Sequence, residues 1–73
     1  MGTKYDTLNG EEKRAVEWKA KQNLSMALAG GNEMALRNQN RFLENNKESL
    51  ANNPESVRNI VQEFREFSRI DDD

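Results

Sequence analysis

Arginine and asparagine are the side chains that grip base edges in a nucleic-acid groove: guanidinium pairs with guanine and carboxamide with adenine, each through two hydrogen bonds. In this 73-residue chain those types gather at Arg37, Asn38, Arg41 and Asn45, a spacing that shows all four on one side of a helix. They are the candidate contacts for an anion or a nucleic acid. A second group has the chemistry of a docking anchor. Trp18, Met26 and Ala29, with Gln22 between them, fall on one helical line. Arg14 and Lys21 flank it on one edge and Lys19 on the other. Trp and Met with Arg nearby is a composition enriched in protein interfaces, so Trp18, Met26, Arg14, Lys19 and Lys21 are the candidate partner-binding residues.

Much chemistry is excluded by what is missing. The chain has no Cys and no His, which removes disulfides, thiolate nucleophiles, Cys/His zinc sites and imidazole acid-base groups. The sequence holds no phosphate loop, carboxylate metal motif or nucleophile-base pairing, and Gly30-Gly31 has the spacing of a helix stop. A non-catalytic protein with no cofactor and no metal is expected. No apolar run approaches the roughly 18 residues of a membrane span. The first residues, MGTKYDTLNGEEK, lack the apolar core of a signal peptide, and Asp6 stands where a myristoylation signal has Ser or Thr. Together with the absence of Cys, this points to the cytoplasm and to no membrane partner.

The net charge of −2 conceals two unequal halves. From Lys13 to Arg41 six basic residues (Lys13, Arg14, Lys19, Lys21, Arg37, Arg41) face two acids (Glu17, Glu33), whereas from Glu44 onward four basic residues face eight acids, ending in Asp71-Asp72-Asp73. Such a division steers an oriented encounter or lets copies attract head to tail.

Three helices position these groups. The first is expected over 10–29, capped by Asn9 with Glu12 completing a capping box, and stopped at Gly30-Gly31. The second is expected over 33–51, capped by Asn32 and closed by Asn52-Asn53. Asn53 followed by Pro54 opens the third, over 54–68. Residues 1–8 form a flexible segment and 71–73 an acidic tail around a single domain, 9–70. Val57, Ile60, Val61, Phe64 and Phe67 recur at steps of three and four and supply most of the core. Val16, Ala20, Leu24, Ala27 and Leu28 form the matching stripe of the first helix, and Ala35, Leu36, Phe42, Leu43 and Leu50 that of the second. The fold expected is all-α: a small antiparallel three-helix bundle with short Gly-Gly-Asn and Asn-Asn-Pro connections. Its core is small, so stability is modest and a partner or self-association helps.

Two further patterns bear on function. Asn32, Gln39, Asn46 and Asn53 recur every seven residues, the spacing of a heptad seam in which polar side chains fix register between helices. A helix-glycine-helix order also invites a helix-turn-helix comparison. With Ala27 and Gly31 at the small-residue and turn-glycine sites, positions that should be apolar fall on Arg37 and Asn40; moved back by one, the frame sets Met26 and Gln39 at the wrong sites. That motif fails in both frames, and a pI near 5.1 is far below the basic range of DNA-binding modules.

The leading expectation is a helical interaction protein that docks the Trp18 and Met26 face onto a protein partner or a copy of itself. Its size and Asn-rich composition suit a phage or mobile-element product that modulates a host transcription or defence component. A nucleic-acid-associated regulator, a virion or assembly component and a sponge for a small anionic nucleotide are the alternatives.

Overall fold

The computed structural model describes residues 4–71. Among them the chain is all-α, with a 3-10 turn at Tyr5–Thr7 followed by α1 (Gly10–Ala29), α2 (Glu33–Arg37), α3 (Gln39–Ala51) and α4 (Pro54–Asp71). Asparagine begins every one of the four α-helices. Asn9 Oδ1 accepts from the Glu12 amide at 2.8 Å while Glu12 Oε1 accepts from the Asn9 amide at 3.1 Å, completing the expected capping box. Asn32, Asn38 and Asn53 cap the later helices by accepting from the Ala35, Arg41 and Glu55 amides, each at 3.1 Å. α1 ends in a Schellman motif. The Asn32 amide donates to the Ala27 carbonyl at 2.9 Å and the Gly31 amide to that of Leu28 at 3.2 Å, with Gly31 at φ +77°.

The helix expected over 33–51 is two helices. Asn38 has φ −150° and ψ 90°, closing α2 through its amide bond to the Met34 carbonyl and opening α3 through its own carbonyl. A short carboxamide side chain that offers its own oxygen to a nearby amide competes with the helical ladder, and here it wins. The third expected helix runs three residues further than 68, to Asp71. Residues 5–8, expected to be flexible, are fastened: Tyr5 and Leu8 pack against the core, and Tyr5 Oη donates to the Lys13 carbonyl at 3.4 Å. Residues 1–3 of that expected segment, and Asp72 and Asp73 of the acidic tail, lie outside the described residues.

The long helices alternate in direction. α3 returns along α1, with Asn46 meeting Asn23 and Leu50 packed against the core cluster that Ala15 and Val16 belong to. α4 starts beside Leu8 and Glu12 and advances toward Trp18. The core is Ala15, Val16, Val57, Ile60 and Val61, ringed by the half-buried Tyr5, Leu8, Trp18, Leu50 and Phe64. Leu36, placed by periodicity on the inward stripe of the second helix, is instead 57% exposed: Ala35 takes the buried position of the short α2. Gln39, in the middle of the heptad seam, is also exposed. Asn32 and Asn53 of that seam are helix caps, and Asn46 Oδ1 accepts from Asn23 Nδ2 at 2.9 Å within the chain. The seam is therefore occupied by intrachain bonds at three of its four positions. No helix of the described residues is long and apolar enough to cross a membrane.

Gly31 and Gly30 offer a matched test of the turn. A Cβ on either meets no prohibitive contact, but only Gly31 sits in the left-handed region. Gly31→Ala is expected to lower the unfolding free energy in urea by about 1–2 kcal/mol, whereas Gly30→Ala should stay near wild type or gain.

Candidate functional site

α1 is apolar on two sides because two long helices, α3 and α4, pack on it, with a smaller contact from α2. α4 covers the Trp18 end of the second side. Its Phe64 and Phe67 rings stand 5.6 and 5.4 Å from the Trp18 ring, tilted by 55° and 38°, in the range of favourable aromatic pairs. The cover is incomplete. Trp18 and Phe64 are only half-buried, and Phe67 keeps 47% of its surface in contact with solvent. Two shallow grooves open on either side of Phe64. One, of about 290 Å³, is lined by Arg14, Glu17, Trp18, Lys21 and Phe64; the other, of about 370 Å³, by Glu11, Phe64, Arg65, Ser68 and Arg69.

The structure thus brings together three of the five residues expected to bind a partner, Arg14, Trp18 and Lys21. It does not bring the other two. Met26, two turns past Trp18, lies beyond the aromatic cover and is 73% exposed. Lys19 turns to α4, where its ammonium pairs with Glu63 at 3.5 Å. Phe64 and Phe67 complete the surface in their place. Sequence periodicity places both on the core stripe of α4, and nothing in that spacing signals their second role.

The electrostatics of the two grooves are lopsided. Arg65 grips Glu11 with both arms of its guanidinium, Nε donating to Oε2 at 2.9 Å and Nη2 to Oε1 at 2.7 Å. Lys21 pairs with Glu17 at 3.2 Å. Arg14 and Arg69 form no ion pair among the described residues. Four cations against two carboxylates leave the aromatic surface with a positive rim.

The other expected set, Arg37, Asn38, Arg41 and Asn45, straddles the helix break. Arg37 closes α2 and Arg41 lies in the first turn of α3; with Glu33, Met34 and Asn38 they line a groove of about 440 Å³. Asn38 points its oxygen at the Arg41 amide as a helix cap, so the carboxamide is engaged in the fold. Asn45, one turn beyond Arg41, is exposed and outside that groove. Comparison with protein-family models, characterised proteins and solved structures finds no significant match for this chain.

The Glu11-Arg65 clasp has a titration signature. Hydrogen bonds from Arg65, reinforced by its charge and that of Arg14 against a smaller opposing effect of burial, hold the Glu11 carboxyl below its ordinary 4.5. A carboxylate lowered on folding adds stability above its unfolded pKa and loses it as pH falls through the folded one. Side-chain carboxyl NMR should therefore place the Glu11 midpoint below 4.5 in the wild type, and Arg65→Gln should raise it.

Proposed function

We propose that this protein is a non-catalytic interaction module whose Trp18-Phe64-Phe67 surface, rimmed by Arg14, Lys21 and Arg69, docks a negatively charged, apolar-anchored segment of another protein. The observation that carries this reading is Phe67: a large aromatic side chain held nearly half exposed on a half-buried tryptophan, near Arg14 and Arg69, which form no salt bridge among the described residues. Aromatic anchors at the centre with charge around them is the arrangement of binding hot spots, where the apolar centre supplies affinity and the rim supplies orientation and encounter rate. A positive rim selects an acidic partner and repels a basic one.

Mechanistically, the partner inserts apolar side chains into the grooves on either side of Phe64. Its carboxylates approach Arg14 and Arg69, and the Glu11-Arg65 clasp keeps α4 seated on α1 while the load is taken. Nucleic acid is the less favoured occupant: the net charge is −2, and Asn38 serves as a cap.

Phe67→Ser removes an exposed anchor and leaves Val57, Ile60 and Val61 untouched, so the helical signal should persist. Affinity capture from native-host extract with wild-type and Phe67→Ser bait is expected to recover a protein with the former alone. Arg14→Glu should weaken the purified complex about tenfold. Equal recovery by both baits would remove the aromatic surface from the binding account.

A further inference from the structure

Arg37 and Arg41 are not used by the aromatic surface. Both are exposed, neither forms an ion pair among the described residues, and they stand on either side of the break at Asn38 along one groove with Met34, which is 51% exposed. Glu33, four residues before Arg37, also lines that groove and forms no ion pair within it. The groove combines two guanidinium groups with an apolar thioether floor. A guanidinium binds a carboxylate through two parallel hydrogen bonds, and a methionine adapts its shape to an aliphatic side chain.

One segment of this same chain answers that description. Ile70-Asp71-Asp72-Asp73 sets a branched aliphatic residue directly before three successive carboxylates, the densest negative charge in the sequence. We propose that the Met34-Arg37-Arg41 groove receives the Ile70–Asp73 end of a second copy, giving a head-to-tail association between the basic front of one chain and the acidic end of the next. The proposal is independent of the aromatic surface, since none of its five lining residues belongs to the grooves beside Phe64. Because the two contacting patches differ, each copy has both a groove to fill and a segment to offer, so growth ends only when the contacts close on themselves, the smallest closed form being a reciprocal pair. The charge division between the two halves favours contact of unlike patches over contact of like ones.

Sedimentation velocity of the full chain tests it. Raising the ionic strength from about 0.01 M to about 1 M cuts the Debye length from roughly 30 Å to roughly 3 Å, so association driven by these charges should fade across that range. At low salt the wild type is expected to grow in mean mass with concentration, and the Arg37→Glu, Arg41→Glu double variant to associate at least about tenfold more weakly. A chain carrying Asp71→Lys, Asp72→Lys and Asp73→Lys alone should be equally impaired. The chain with both sets of reversals should regain association, which a merely damaged fold cannot do; circular dichroism of each variant checks that the helices remain. A wild type that stays monomeric at every concentration overturns the proposal, as does failure of the doubly reversed chain to recover. A salt-sensitive complex of the wild type with a single-stranded oligonucleotide, lost in Arg37→Glu, Arg41→Glu while self-association is unchanged, assigns the groove to phosphates and overturns it as well.

Discussion

Everything in this fold depends on α1 fitting between two neighbours. The contact is made with small side chains: Ala15 and Ala20 are fully buried with Val16, and Val16 is the largest side chain to be so. Small residues let helix axes approach closely, so van der Waals contact along the backbone replaces the bulk that a 73-residue chain lacks. The cost is that bulkier side chains are pushed to the margins. Tyr5, Leu8, Trp18, Leu50 and Phe64 pack around the core rather than inside it. A ring of half-buried aromatic and aliphatic groups follows from that choice, and the ring is widest where Phe64 and Phe67 reach Trp18. The candidate docking surface is in this sense the exposed margin of the core.

The asparagines, ten in all, have a different logic from the one their composition suggests. Four of them start the four α-helices, and Asn23 with Asn46 joins α1 to α3. A chain with short connections needs a way to satisfy the first amides of each helix locally, and asparagine does so within one turn. A side chain engaged in that way is withdrawn from recognition. This is why Asn38, one of the four candidate contacts for a nucleic acid, contributes architecture instead, while Arg37 and Arg41 stay open to solvent.

The limits of α1, the capping box at Asn9, the glycine stop and the Asn53-Pro54 start of α4 are all legible in the sequence, because each is set by bonds within four or five residues. The break at Asn38 is also local, yet periodicity hides it: Leu36, Phe42 and Leu43 continue the helical spacing across it, and only the poor helix propensity of Asn hints at the interruption. Two faces on α1 are visible from the hydrophobic pattern, but the identity of the neighbour on each is not. Trp18 meets Phe64 and Phe67, Lys19 meets Glu63 and Glu11 meets Arg65 across more than forty residues of chain, and nothing in a one-dimensional pattern selects those pairs. Helical spacing therefore sets Lys19 beside Arg14 and Lys21 without showing its pairing with Glu63, and sets Phe64 and Phe67 on the core stripe without showing Trp18 opposite them.

An open aromatic margin is the claim on which the functional reading rests, and the chain carries one tryptophan, at that margin. Acrylamide quenching of Trp18 fluorescence measures its openness directly. The structure predicts a quenching constant between that of free indole and that of a buried tryptophan, because the α4 rings cover one side of Trp18 and the groove leaves the other accessible. A constant at the buried limit would mean the margin is closed, and one matching free indole would mean α4 does not pack there; either result contradicts the account.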